Sequence, residues 1–79
     1  MANQIEVLRY ELNKVADNAP SGSHKKVADK IGFSEQYIRQ VRIGTSGYAD
    51  NPDNRKLIQD CINEYRRLIN KEITKLKNV

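Results

Sequence analysis

The hydrophobic residues of this chain recur at helical spacings in four separate stretches. The first stretch, 3–17, places its apolar residues three or four positions apart: Ile5, Leu8, Leu12, Val15 and, just beyond, Ala19. Such spacing puts them on one stripe of an amphipathic helix. The turn-rich run 18–23, with its proline and glycine, then ends that helix. Together with the three stretches below, the pattern predicts an all-α fold.

Residues 24–31 and 35–42 predict two short helices with facing apolar sides. The first helix carries Val27, Ala28 and Ile31, and the second carries Ile38 and Val41. Within each helix these residues lie one, three or four positions apart, so each set occupies one face. Ala28 is small enough to let the two helices cross closely. Residues 24–44 are therefore predicted to form a helix-turn-helix.

Glycine and serine residues mark the ends of these two helices. Gly32 is predicted to end the first helix, because glycine readily adopts the left-handed conformation found after a helix C-terminus. Two residues later, Ser34 offers a hydroxyl that can cap the N-terminus of the second helix. Ser23 is predicted to cap the first helix in the same way, and Gly44 follows the second.

The fourth stretch predicts a long C-terminal helix over about 52–77. Asn51, Pro52 and Asp53 are typical of a helix start, and neither glycine nor proline follows before Lys77. A continuous helix of this length would span ~39 Å, more than a small core can cover. We therefore predict that its apolar side forms a dimer interface, through Tyr65, Ile69, Ile73 and Leu76. The alternative is that its last turns fray in solvent.

Length and composition are those of one small domain, 1–79. The chain has 79 residues, 38% of them hydrophobic, with one Phe and no Trp. A chain of this size buries only ~60% of the surface it exposes when unfolded. The core is therefore modest, and a homo-oligomer is a reasonable expectation.

The net charge of +4 and the pI near 9.4 favour a polyanionic partner. The positive excess is uneven along the chain. Residues 1–23 carry two basic and three acidic side chains, whereas 24–48 carry five basic and two acidic ones. From residue 49 onward there are seven basic and five acidic side chains. The excess thus lies in the helix-turn-helix and the C-terminal helix.

Other classes of protein receive little support from the sequence. A lone cysteine, Cys61, cannot form an internal disulfide, so we expect a cytoplasmic protein with a buried structural thiol. No apolar run approaches the ~20 residues of a membrane span, and residues near Met1 show no signal-peptide core. One His and one Cys far apart do not match zinc spacings. We expect no metal, no cofactor and no catalysis.

The segment 24–44 resembles the helix-turn-helix of phage Cro proteins and phage-type repressors. The resemblance rests on an aliphatic residue followed by alanine, an aliphatic residue three positions later, a glycine, and two further aliphatic residues three positions apart. The residues that carry it are Val27, Ala28, Ile31, Gly32, Ser34, Ile38, Val41 and Gly44. The loops at 18–22 and 43–51 are longer than is usual in that family. The resemblance implies a small DNA-binding domain whose second motif helix lies in the major groove, and a location in the bacterial cytoplasm or nucleoid.

Base-reading residues are predicted on the outer side of the second motif helix. The outward positions are those that Ile38 and Val41 leave open: Glu35, Gln36, Arg39 and Gln40. Glutamine can pair with adenine, arginine with guanine, and glutamate can accept from cytosine. The resemblance assigns base-reading positions to Glu35, Gln36 and Gln40. The alternative for each is a solvated polar side chain.

Phosphate contacts are predicted before and after that helix. The candidates are His24, Lys25, Lys26, Ser34, Tyr37, Thr45, Ser46 and Tyr48. The first three would open a helix whose N-terminal N–H groups attract anions. For Thr45, Ser46 and Tyr48 the alternative is ordinary turn chemistry. Arg42 stands where the family commonly has an acid paired to the first helix, so we predict an exchanged pair with Glu11.

The sequence therefore predicts a regulator that binds specific double-stranded DNA, of Cro or repressor type, from a phage or other mobile element. It would act as a homodimer on a palindromic operator, with half-sites about 34 Å apart or a multiple of that. The alternative is a protein-interaction module, such as an antitoxin or antirepressor, with the same fold and no specific DNA readout.

Overall fold

Four helices joined by three loops make up the computed structural model, which describes the backbone of residues 3–77 and the side chains as far as Leu76. They are α1 (Gln4–Asp17), α2 (Ser23–Ile31), α3 (Glu35–Ile43) and α4 (Pro52–Lys77). No strand occurs within residues 3–77. The predicted all-α fold with a long C-terminal helix is thus confirmed, while residues 1–2 and 78–79 of the predicted domain lie outside the described part.

The turn between α2 and α3 forms as its residue types predict. Gly32 adopts a φ of 92°, in the left-handed region, and its N–H donates to the carbonyl of Ala28 at 2.9 Å. Ser34 caps α3 by accepting a hydrogen bond from the N–H of Tyr37 at 3.1 Å. Gly44 ends α3 with a φ of 89°. The two short helices are therefore bounded by local interactions that the sequence encodes directly.

The predicted N-cap of α2 is wrong by one residue. Gly22, with a φ of 84°, occupies the cap position and offers no side chain to the helix. Ser23 is the first helical residue; its side chain is buried and its N–H donates to the carbonyl of Pro20 at 3.1 Å. Glycine tolerates the left-handed conformation that this entry to the helix requires, and serine does not.

The core lies between α4 and the other helices. α4 packs against α1 and α2, and α3 packs against α1 and α2. Most of the apolar positions predicted from periodicity contribute to the core, but Leu8, Val15, Ala19 and Ile31 are only partly buried, and Ala16 is buried without having been predicted. The buried residues are Ile5, Leu12 and Ala16 from α1, Val27 and Ala28 from α2, Ile38 and Val41 from α3, and Ile58, Cys61, Ile62, Tyr65 and Leu68 from α4.

The C-terminal part of α4 extends beyond this core. Leu68 is the last buried residue of the helix, Ile69 is partly buried, and residues 70–76 are all exposed. At 1.5 Å per residue the helix is about 39 Å long, close to the longest dimension of the molecule, 43 Å. No helix within residues 3–77 combines the length and the apolar character needed to cross a bilayer.

Tyr65 does not belong to the predicted dimer surface. Its side chain is completely buried among residues of its own chain. The apolar stripe of α4 is continuous in the sequence, so the stripe alone did not reveal where the core ends. Of the four residues predicted for the dimer interface, Ile69, Ile73 and Leu76 remain on the part of the helix that extends past the core.

Candidate nucleic-acid interface

The outer side of α3 presents polar side chains without partners. Ile38 and Val41 are buried on the inner side of the helix. Glu35, Gln36 and Arg39 are exposed, and within residues 3–77 none of their side chains forms a hydrogen bond or an ion pair. An amide, a guanidinium and a carboxylate are thus held at the surface of a short, capped helix. These groups are the ones that recognise base edges in a major groove.

Gln40 differs from the other predicted base-reading residues because its side chain is already engaged. It is partly buried, and its Oε1 accepts a hydrogen bond from the hydroxyl of Ser46 at 3.2 Å. Pairing with adenine at two points requires that oxygen as well as the amide N–H. Gln40 is therefore less suited than Gln36 to that recognition.

The first turn of α2 carries three exposed side chains, those of His24, Lys25 and Lys26. Because Gly22 provides no cap, no group within residues 3–77 accepts from the backbone N–H of His24 or Lys25, whereas that of Lys26 bonds to the Gly22 carbonyl at 3.4 Å. Free N–H groups at a helix N-terminus, with two ammonium groups beside them, favour a bound anion.

A cleft of about 530 Å³ joins the start of α2 to the outer side of α3. We call it the interface cleft. Its lining includes four of the predicted DNA-contacting residues, drawn from two different helices. The residues that line it are His24, Glu35, Gln36, Ile38, Arg39, Arg42 and Tyr65. The fold thus brings His24 beside three of the four predicted base-reading residues.

Arg42 is held by α1, but not by the predicted partner. Its Nε donates to Oδ1 of Asn13 at 3.1 Å and its Nη2 lies 3.3 Å from Oδ1 of Asp17. The side-chain amide of Asn13 donates in return to the Arg42 carbonyl at 2.8 Å. Glu11 instead pairs with Arg66 of α4 at 3.2 Å. Asn13 and Asp17, four residues apart, share a side of α1, and Glu11 lies on another side.

Tyr65 forms the buried side of the interface cleft, and sequence reasoning did not assign it there. Its hydroxyl oxygen lies 2.8 Å from Nδ1 of His24, and the two rings meet edge to face with centroids 5.7 Å apart. Burial raises the pKa of the Tyr65 hydroxyl to about 12. The hydroxyl is therefore protonated at neutral pH. The signal in the sequence is a tyrosine on the apolar stripe of α4, since a buried hydroxyl needs a polar partner.

The remaining predicted phosphate contacts lie outside this cleft. Thr45 donates from its hydroxyl to the Gln40 carbonyl at 3.3 Å, and the Ser46 hydroxyl bonds to the Gln40 side chain, as described above. Ser34 is occupied as the N-cap of α3. Tyr37 stacks on Phe33 with ring centroids 4.8 Å apart. Tyr48 is largely exposed, at 66%.

Five ion pairs neutralise a different set of basic residues, of which Arg42 alone also lines the interface cleft. Five acidic side chains each pair with one arginine or lysine. The pairs are Asp17–Arg42, Asp50–Arg55, Asp60–Lys56, Glu11–Arg66 and Glu64–Arg67. Four of the five partners belong to α4. Lys25, Lys26 and Arg39 have no carboxylate partner within the described residues, so positive charge remains uncompensated around the start of α2 and the outer side of α3.

Metal coordination has no support in the part of the chain that the structure describes. No three His, Cys, Asp or Glu side chains are grouped there in a way that could hold a metal ion. Comparisons of the chain with protein-family models, with curated proteins and with solved structures give no match.

Proposed function

We propose that this protein binds double-stranded DNA at specific sequences and regulates transcription there, as a Cro-like or repressor-type protein of a phage or mobile element. α3 would enter the major groove, and the first turn of α2 would contact the phosphate backbone. Binding needs no catalysis, because occupancy of an operator is enough to exclude polymerase or a competing regulator.

The observation that carries this proposal is the uncompensated polar surface formed by α2 and α3. Gln36 and Arg39 are exposed and without partners, and Lys25 and Lys26 stand at an uncapped helix N-terminus nearby. Five ion pairs neutralise other basic residues, most of them on α4. Lys14, Lys71 and Lys75 are exposed without an ion pair as well, but they lie on α1 and on the part of α4 beyond the core, whereas Lys25, Lys26 and Arg39 accompany the polar side chains of α3.

A homodimer is part of the proposal. Ile73 and Leu76 are 46% and 66% exposed on the part of α4 that passes the core. A second copy packed on this segment would cover them and would give the protein two α3 helices for a palindromic site. Half-sites should then lie about 34 Å apart, or a multiple of that distance.

The experiment begins with selection of bound duplexes from a random pool. The affinity for the selected and for a random duplex is then measured over a range of salt concentrations. Arg39→Ala should cost about 1–3 kcal/mol on the selected duplex and relax the preference at one base position. Lys25→Ala should weaken binding to both duplexes and reduce the salt slope by about one.

Lys14→Ala is the matched control. Lys14 is exposed on α1 and makes no ion pair within residues 3–77, so its removal subtracts one positive charge from a surface outside the proposed interface. Equal losses for Arg39→Ala on selected and random duplexes would contradict base reading. Absence of salt-dependent duplex binding by the wild-type chain would contradict the proposal itself and favour the protein-interaction module.

A further inference from the structure

Tyr65 brings a hydroxyl group from α4 to the buried side of the interface cleft. Its ring is completely buried, while His24, on the other side of the 2.8 Å contact, is exposed. Tyr65 belongs to α4, which supplies no other described residue to the lining of this cleft. A core residue thus makes direct contact with a residue at the proposed DNA surface.

The chemistry of this contact defines how the histidine can act. The Tyr65 hydroxyl is protonated at neutral pH, and its only hydrogen-bond partner within the described residues is Nδ1 of His24. A neutral imidazole that accepts at Nδ1 carries its proton on Nε2. Nδ1 faces the buried hydroxyl, so Nε2–H is the group that the ring can offer to another molecule.

We propose that Tyr65 is a positioning residue for DNA binding: its hydroxyl fixes the ring of His24 so that Nε2–H donates to a phosphate oxygen. This inference rests on the proposed function. Lys25 and Lys26 would contribute charge to the same strand, whereas His24 contributes a directed, neutral hydrogen bond. Through its hydrogen bond to His24, a core residue, Tyr65, therefore sets the direction of the contact between His24 and the phosphate.

The other charged groups of the cleft explain why the ring needs fixing. From α3, Glu35, Arg39 and Arg42 line the same cleft as His24. In the free protein, an imidazole that is not held by Tyr65 can turn its N–H toward the carboxylate of Glu35. A ring held at Nδ1 already has the orientation needed for the phosphate contact, so less side-chain entropy is lost on binding.

The test is a double-mutant cycle with Tyr65→Phe and His24→Ala, measured on a random-sequence duplex at about pH 8.5, where an imidazole is neutral. Tyr65→Phe removes the hydroxyl and keeps the ring. We expect it to weaken binding about threefold to tenfold, the range for one hydrogen bond. In the His24→Ala background it should cause no further loss. Neither substitution should change the salt slope, because a neutral donor adds no charge, whereas Lys25→Ala should lower it by about 0.9.

Tyr10→Phe is the matched control, since it removes a hydroxyl from an exposed tyrosine of α1 and should leave binding unchanged. A loss of the same size from Tyr65→Phe with and without His24, or no loss at all, would overturn the positioning role while the proposed function stands. Failure of the wild-type chain to bind duplex would overturn both.

A second measurement does not depend on the variants folding. Long-range nitrogen-15 NMR spectra of the free wild-type protein distinguish a protonated from an unprotonated ring nitrogen. The His24 ring should show an unprotonated Nδ1 and a protonated Nε2. The opposite tautomer would overturn the inference without reference to DNA.

Discussion

Arg9 on α1 buries much of its guanidinium against the C-terminus of α3. Its Nε and Nη2 are inaccessible to solvent and have no hydrogen-bond partner within residues 3–77. A Cβ at Gly44 would lie 3.5 Å from the Arg9 guanidinium carbon. A buried, unsatisfied donor costs free energy that an apolar side chain would not.

We therefore predict that Arg9→Met leaves the free energy of unfolding unchanged or raises it by about 1 kcal/mol. Chemical denaturation of both proteins measures the difference. Lys14→Met, at an exposed position of the same helix, should change stability by less than about 0.5 kcal/mol. A loss of more than about 1 kcal/mol from Arg9→Met would show that the guanidinium is better satisfied than its geometry indicates.

Cys61 gives the fold a pH dependence in the alkaline range. Its side chain is completely buried, and burial, with a smaller effect from Asp60, raises its pKa from 9.0 to about 11. Above about pH 9 the thiol ionises in the unfolded chain but remains protonated in the folded one. Ionisation of this thiol therefore leaves the free energy of unfolding unaffected below about pH 9 and lowers it as pH rises toward 11.

The free energy of unfolding should fall by about 2–3 kcal/mol from pH 9 to 11 through Cys61, at about 1.4 kcal/mol per pKa unit. Because Tyr65 adds a loss of the same sign above pH 10, the contribution of Cys61 is the difference from a Cys61→Ala variant. If the free energy of unfolding fell with pH equally in the wild-type and Cys61→Ala proteins over this range, the raised pKa of the buried thiol would be contradicted.

At the residue scale, the sequence predicts what depends on neighbours in the chain. Gly32 and Ser34 were correctly assigned as helix ends because their roles involve backbone within three or four residues. The partners of Arg42 could not be predicted, since Asn13 and Asp17 reach it from another helix. The same holds for Tyr65, whose contact with His24 spans 41 positions.

At the scale of elements, α4 is the helix that only partly packs against the rest of the chain. Residues 70–76 are exposed, yet Ile69, Ile73 and Leu76 lie four and three positions apart and share one side of the helix. Periodicity predicted this helix and its length. It could not separate core from interface, because the same stripe serves both, and where the core ends depends on how the other helices pack.

We predict that the wild-type chain is a dimer in solution and that the double substitution Ile73→Ser and Leu76→Ser makes it monomeric. Both side chains are exposed in the single chain, so the fold itself should lose little stability. Sedimentation equilibrium measures the mass, and circular dichroism the helix content. Val7→Ser, at an exposed apolar position of α1, is the control and should leave the mass unchanged. A dimer that survives the double substitution would place the interface elsewhere.

At the scale of the whole molecule, the distribution of paired and unpaired charge distinguishes the core-packed part of α4 from the α2–α3 side. Four basic residues of α4 are neutralised, two by acids of the same helix and two by Glu11 and Asp50, while the α2–α3 side retains Lys25, Lys26 and Arg39 without partners. The sequence located the positive excess, but which basic residues are neutralised depended on tertiary packing. The resulting asymmetry would orient an approaching duplex toward α3.

NMR titration of the uniformly labelled protein with a duplex selected from a random pool tests directly whether α3 contacts DNA. We predict that backbone and side-chain signals from Glu35 to Gln40, together with those of His24 to Lys26, shift on addition of the duplex, while those of Val7 and Tyr10 on the outer side of α1 stay in place. Unchanged signals from Gln36 to Gln40 at saturating duplex would contradict DNA recognition by α3.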